Sequence, residues 1–153
     1  MRNTLWVLGF VLILSLIVVS CKEDQITEPQ HHHYEAYGVN VYNADTLYLR
    51  VYNAVIDTNY NRAFTLEPNS TPQTFRIKFL NEDGQEMDYP NDEEKVLGWL
   101  VADTTVVNAT KPDTFKWELL LTALKEGNTT IEIRVNHIDH PDFKTPVIPV
   151  EVK

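Results

Sequence analysis

The stretch GNTTIEIRVN, residues 127–136, decides the fold class of this chain. It opens on Gly127-Asn128, a turn signal. Isoleucine or valine then occupies positions 131, 133 and 135, while charged or amide side chains occupy positions 132, 134 and 136. An alternation with a period of two is typical of a strand that buries one face. The stretch therefore predicts a half-buried β-strand directly after a turn.

Similar strand patterns recur along the rest of the chain. They are found in residues 39–42, 47–52, 75–79 and 97–102. Residues 115–124 also suit a short helix, but the turn and strand that follow them favour a strand. The chain closes on residues 147–152, where Pro146 and Pro149 favour an edge strand because proline donates no backbone hydrogen bond. Short strands separated by turns, with no convincing long helix, predict an all-β sandwich.

One part of the chain is similar to a known group of domains. The segment from residues 97–99 (LGW) to residues 127–131 (GNTTI) resembles bacterial immunoglobulin-like domains. These often carry a tryptophan strand, a later Trp/Phe strand and a Gly-x-Thr-Thr turn before the penultimate strand. The resemblance covers residues 38–153 and implies an immunoglobulin-like β-sandwich of seven to eight strands. It implies little about activity, because such sandwiches carry many unrelated functions.

The N-terminus has the order of a secretory signal. Arg2 is followed by an apolar run from Leu5 to Val19, which is shorter than the roughly 20 residues that cross a bilayer. Residues 18–21 (VVSC) resemble the lipobox of bacterial lipoproteins, although that family usually carries leucine at the position of the first valine. The resemblance implies cleavage before Cys21, a diacylglyceryl group on its sulfur and acylation of the new amine. The alternatives are an uncleaved membrane anchor and an ordinary signal peptide with an incidental cysteine.

These features divide the chain into three parts. We expect a lipoprotein signal peptide at 1–20, a lipidated, histidine-containing flexible tether at 21–37, and the β-sandwich domain at 38–153. Residues 22–24 (KED) directly follow the cysteine and resemble the surface-export signal of Bacteroidetes lipoproteins. We therefore expect a cell-envelope protein that is anchored by lipid in the outer membrane, on its periplasmic or its outer face.

The composition limits the partners. Removal of residues 1–20 leaves 153 − 20 = 133 residues, enough for one domain with a core, and the charge becomes 12 − 22 = −10 because one base and no acid are lost. An acidic domain repels nucleic acid, so nucleic acid is not an expected partner. We expect contact with the membrane through the lipid, and with an outer-membrane transporter or another envelope protein. Lipid on the single cysteine leaves no thiol for a disulfide.

The histidines suggest a metal site. All five lie in two short segments that also contain acids, residues 31–35 (HHHYE) and residues 137–142 (HIDHPD). In an immunoglobulin-like sandwich, the start of the first strand and the loop between the last two strands lie at one pole, so the two segments are expected to converge. Imidazoles with carboxylates suit zinc, copper or nickel, and their affinity falls in mild acid. The candidate ligands are His137, His140, Asp139, Asp142, His31, His32, His33 and Glu35.

The second histidine segment carries further information. His137 continues the parity of positions 131, 133 and 135 and is expected on the inner side of the sheet, whereas His140 is expected in a loop fixed by Pro141. Residues 137–150 also resemble the tail of a group of small bacterial lipoproteins with a His-x-Asp-His-x-Asp-Phe string. In that group a small residue often stands where Pro141 is. The resemblance implies a metal-handling role beside outer-membrane transport.

Several functions remain open from the sequence. The leading hypothesis is a lipid-anchored binding module that captures a divalent transition metal. The alternative is a structural or interaction lipoprotein of an envelope complex, in which the histidines belong to a polar spacer and an ordinary turn. A histidine recognition patch or pH sensor is a third interpretation. An enzyme is not expected, because Ser70 is the one serine after the predicted cleavage point and a zinc hydrolase needs a well-supported open site.

Overall fold

The computed structural model of the chain describes residues 34–91, 93–112 and 116–153. The predicted signal peptide, Cys21 and His31–His33 lie outside the described residues. The described residues from Tyr34 onward belong to one compact unit. Their strands are β1 (Gly38–Asn43), β2 (Thr46–Tyr52), β3 (Val55–Ile56), β4 (Phe64–Leu66), β5 (Gln73–Leu80), β6 (Lys95–Val101), β7 (Val107–Thr110), β8 (Glu118–Ala123), β9 (Gly127–His137), β10 (His140–Lys144) and β11 (Ile148–Val152).

The strands form two sheets around one core. The first sheet has the order β3-β2-β1-β5-β8-β7, and the second has the order β10-β9-β11-β4, with β6 paired to β9. All pairs are antiparallel except β11 with β4. Alternate residues of both sheets meet in a single buried cluster, which includes Val39, Phe75 and Ile133. The predicted all-β sandwich is confirmed.

Strand β9 organises the second sheet. Its side chains at positions 131, 133, 135 and 137 are buried, and those between them are half-buried, as the alternation in the sequence predicts. One side of β9 pairs with β6 from Ile131 to His137. The other side of β9 pairs with β10 near His137 and with β11 near Gly127. Because β9 carries all three pairings, its end at His137 lies between β6 and β10.

The structure corrects two details of the sequence-based expectations and bears out a third. Eleven strands are present in the described residues rather than seven or eight, because β3 and β4 have only two and three residues and β10 begins in a segment that was expected to be a loop. The closing strand β11 is not an edge strand but lies between β9 and β4. Its pairing with β4 begins at Val150, so Pro149 precedes the part that pairs on both sides. The ambiguous segment 115–124 contains strand β8, as expected.

An aromatic layer joins the sheets beneath the end of β9. Phe79 of β5 is fully buried, and its ring contacts three others edge-on. The ring centroids lie 5.3 Å from Tyr34, 5.4 Å from Trp117 and 6.0 Å from Phe143. Edge-to-face aromatic pairs add to the stabilisation that comes from burial alone. Phe79 thus links Tyr34, which lies four residues before β1, to Trp117, which directly precedes β8, and to Phe143 of β10.

The contacts of Phe79 predict a large effect of its removal. We expect Phe79→Ala to lower the free energy of unfolding by about 3–5 kcal/mol, because it deletes a buried ring and leaves a cavity. Urea denaturation followed by tryptophan fluorescence measures this change. As a control, Tyr37→Ala removes an exposed ring and should change stability by less than about 1 kcal/mol. Equal effects of the two substitutions would contradict this account of the core.

Candidate metal centre

Strand register places three side chains in a row at the end of β9. His137 pairs with Lys95 of β6 on one side and with His140 of β10 on the other. Residues directly opposite one another in antiparallel strands project to the same face of the sheet. His137 is 2% exposed, as its parity with the core residues predicted. The row Lys95, His137, His140 therefore runs from the interior of the sandwich to its rim.

Asp142 completes the cluster from the same strand as His140. A register shift occurs between Pro141 and Phe143, and the Asp142 side chain between them is 0% exposed. Its Oδ1 atom lies 3.7 Å from His137 Nδ1 and 3.5 Å from His140 Nε2. One ligand atom from each of His137, His140 and Asp142 lies within 4.8 Å of the others.

These separations suit a transition metal. Nitrogen and oxygen ligands bind zinc at about 2.0–2.2 Å, so neighbouring ligands of a tetrahedral ion are about 3.3–3.6 Å apart. The two distances from Asp142 Oδ1 need to shrink by at most a few tenths of an ångström. Two imidazoles and one carboxylate form a borderline donor set that fits zinc, copper or nickel better than calcium or magnesium. The three residues fit such an ion.

The second oxygen of Asp142 is held by other groups. The backbone N–H of Tyr34 donates to Asp142 Oδ2 at 2.9 Å, and Lys95 Nζ lies 3.9 Å from the same oxygen. One oxygen thus faces the imidazoles while the other is fixed by an amide and a cation. Outer contacts of this kind orient a ligating carboxylate in metal sites. They also join the end of the tether to the hairpin of β9 and β10.

Each imidazole also has a second carboxylate beside it. His137 Nε2 lies 3.5 Å from Glu94 Oε2, and His140 Nδ1 lies 2.9 Å from Asp139 Oδ1. Pairing with the His140 ring, followed by a bond from its own backbone amide, lowers the pKa of the Asp139 carboxyl. A carboxylate behind a histidine fixes which ring nitrogen is turned to a metal. In this arrangement His137 Nδ1 and His140 Nε2 are the nitrogens that face Asp142.

Burial differs across the cluster. The side chains of His137 and Asp142 are almost fully enclosed, while that of His140 is 46% exposed. An ion arriving from solvent would therefore meet His140 first and the buried pair next. A site with a fixed interior and one accessible ligand is suited to binding a small ion from solution.

The structure treats the predicted ligands unequally. It brings His137, His140 and Asp142 together. Asp139 is exposed beside His140 and is not one of these three, and Glu35 is exposed and also not among them. The prediction for His31, His32 and His33 concerns residues outside the described ones. His140 begins strand β10 instead of lying in a loop, because it pairs with His137 directly after the turn.

Sequence reasoning missed three contributors, Glu94, Lys95 and Tyr34. Lys95 carried a usable signal, because it shares the parity of Leu97 and Trp99 and so continues the inward face of β6. A charged residue at a strand position that faces the core indicates that a polar partner is buried nearby. Glu94 was visible only as part of the acidic run at 92–94, and the backbone amide of Tyr34 carries no sequence signal at all.

The turn between the two histidines is strained. Ile138 has a φ of 53° and is 64% exposed at the tip of the β9–β10 hairpin. A β-branched residue rarely adopts this left-handed conformation, which costs about 1–2 kcal/mol. Strain of this kind persists where surrounding contacts determine the local geometry. Here the strained residue lies between His137 and the other two candidate ligands, His140 and Asp142.

Relief of this strain should stabilise the protein. We expect Ile138→Asn to raise the free energy of unfolding by about 0.5–1 kcal/mol, because asparagine tolerates left-handed backbone. The control is Val147→Asn, which removes an equally exposed apolar side chain at a residue that is not among those with positive φ. Thermal denaturation of the two variants measures the difference. A loss of stability in Ile138→Asn would contradict the assignment of strain to this turn.

Comparisons with known proteins add little to this description. No protein-family model matches the chain, and no curated protein matches it. Among solved structures, domains 4 and 5 of the S-layer protein SbsC are similar with a TM-score of 0.38 and 17% identity, over 60% of this chain and 47% of that chain. This chain thus matches less than half of that structure. A likeness at this score carries no functional information.

Within residues 34–91, 93–112 and 116–153, no helix has both the length and the apolar character needed to cross a bilayer.

Proposed function

We propose that this protein is a lipid-anchored module of the cell envelope that captures a divalent transition metal at His137, His140 and Asp142. The observation that carries the proposal is the convergence of one ligand atom from each residue within 4.8 Å. Zinc, copper and nickel are the proposed ions, since two imidazoles with one carboxylate match their preferences. The proposal is for binding, and it assigns no catalysis.

The proposed site is built by the fold. His137 is fixed by its pairing with β6 and β10, and Asp142 is fixed through its second oxygen by the Tyr34 amide. Ligands that are held before the ion arrives lose less conformational freedom on binding, which favours affinity. Solvent reaches the cluster through His140. The fourth position of a tetrahedral ion would be left for water, another side chain or a group from a partner.

Metal titration tests the proposal. The purified protein in detergent, freed of metal with a chelator, should bind about one zinc ion per chain with micromolar or tighter affinity by calorimetry. His137→Ala and His140→Ala should each weaken binding by at least about tenfold, because each removes a ligand. Asp142→Asn should weaken it similarly.

Two further variants serve as controls for the titration. Glu35→Gln should leave the affinity unchanged, because Glu35 lies outside the three-residue cluster. The triple change His31→Ala, His32→Ala, His33→Ala tests separately whether the tether histidines add ligands, as the sequence predicts. An affinity that survives the combined loss of His137 and His140 would show that the site is elsewhere.

The second candidate function is structural. The buried pair of Lys95 and Asp142, with Asp142 also bonded to the Tyr34 amide, links β6, β10 and the end of the tether. Such a joint would set the orientation of an accessory domain in an envelope complex without any ligand. The two functions separate cleanly, because a structural joint gives no heat on metal addition near neutral pH, while Asp142→Asn would still destabilise the fold.

The proposed anchor is tested independently of the metal. Cys21→Ser should move the protein from the membrane fraction to the soluble fraction and abolish labelling by a fatty-acid analogue, because serine has no sulfur to carry the diacylglyceryl group. Lys22→Ala is the matched control and should remain labelled and membrane-bound. Labelling that persists in Cys21→Ser would contradict the lipoprotein assignment. Labelling absent from the unaltered protein would do the same.

A further inference from the structure

A lysine lies inside the proposed metal centre. Lys95 is 5% exposed, and its Nζ is 3.9 Å from Asp142 Oδ2. Lysine is almost never buried without a partner, because removing an ammonium from water costs several kcal/mol. Register fixes its position, since Lys95 stands directly opposite His137 across β6 and β9. The lysine is therefore part of the same polar cluster as the three candidate ligands.

The charges of this cluster depend on whether an ion is bound. Without metal, the ammonium of Lys95 and the carboxylate of Asp142 carry opposite unit charges and compensate each other. Imidazoles that bind a metal are neutral, so a divalent ion adds two positive charges, and Asp142 is the one anion among the three proposed ligands. Asp142 would then be shared, with Oδ2 toward the ammonium and Oδ1 toward the ion. The fixed ammonium repels the ion at close range in a site of low dielectric constant.

We infer that Lys95 is a resident counter-cation that tunes the affinity of this site downward, which makes metal capture reversible. This inference rests on the proposed function. In the metal-free protein, Lys95 keeps the buried Asp142 carboxylate compensated and in place. In the metal-bound protein, the same charge weakens the hold on the ion and favours its transfer to an acceptor.

Two substitutions of Lys95 test this role. Lys95→Met removes the charge and keeps the approximate length, and Lys95→Arg keeps the charge. Lys95→Met should bind zinc about tenfold more tightly than the unaltered protein, because the repulsion is gone. Its metal-free form should melt at a lower temperature, because the buried Asp142 carboxylate loses the ammonium that compensates its charge. The rise in melting temperature on zinc addition should accordingly be larger than in the unaltered protein. Lys95→Arg should stay close to the unaltered protein in zinc affinity.

A matched control separates a local effect from a change in net charge. Lys144 is an exposed residue at the end of β10, two positions after Asp142, and Lys144→Met removes the same unit charge at the surface. It should change neither the zinc affinity nor the zinc-induced rise in melting temperature, because exposed charges are screened. If Lys95→Met folds only when zinc is present, that outcome supports the inference. In that case the zinc affinity is measured on Lys95→Gln instead, which lacks the charge but keeps a polar group near Asp142.

The outcomes distinguish the inference from the function on which it rests. If the unaltered protein binds zinc and Lys95→Met or Lys95→Gln binds it equally or more weakly, Lys95 does not tune the site, and the proposed metal binding still stands. If the unaltered protein binds no zinc, copper or nickel, the proposed function fails and the inference fails with it. Opposite changes in affinity and in metal-free stability form the signature that a purely structural ion pair would not give.

Discussion

A buried carboxylate constrains the whole of this end of the sandwich. Asp142 has a fully enclosed side chain, and an enclosed carboxylate is costly unless its oxygens are compensated. The structure supplies an amide from Tyr34, an ammonium from Lys95, and two imidazoles from His137 and His140. These groups come from the segment that leads into β1 and from the three strands β6, β9 and β10. The convergence of those segments is therefore tied to one charge.

The same constraint accounts for the shape of the β9–β10 hairpin. The end of β9 carries His137 inward, and β10 must return at once for His140 and Asp142 to face it. A short return forces Ile138 into left-handed backbone and shifts the register between Pro141 and Phe143. Phe79 of the first sheet packs against Phe143 of the second sheet and against the rings of Tyr34 and Trp117. The geometry at the rim is thus supported by packing in the core, which allows local strain to persist.

The cluster has the chemistry of a metal site and also that of a structural joint. The donor set and the separations around Asp142 Oδ1 fit a transition metal, and the contacts at Oδ2 resemble the outer contacts of such sites. Lys95 is the residue at which the two functions make different demands. In a structural joint, the Lys95 ammonium compensates the charge of Asp142. Beside a bound metal ion, the same ammonium repels the ion. With the proposed lipid anchor, a site that releases its ion would suit transfer at the membrane surface.

A local pattern in the sequence determined several of these features. The alternation at 131–136 determined a strand with one buried face, and the parity of His137 placed that histidine inside, because side-chain direction in a strand follows from position alone. The His-x-Asp-His-x-Asp spacing determined that four of the candidate ligands lie within six residues. The predicted lipid on Cys21 likewise depends only on neighbouring residues.

Only the tertiary structure decided which residues complete the cluster. The pairing of Lys95 with His137, and the bond from Tyr34 to Asp142 across 108 positions, depend on which strands meet. The central position of β11 and the strand start at His140 have the same origin. Alternation in the sequence determines which face of a strand is buried. The strand with which it pairs, and the register of that pairing, depend on how the side chains of all strands fill the shared core. That is why the sequence contained the ligands of the proposed site, while its counter-cation and its anchoring amide emerged only from the fold.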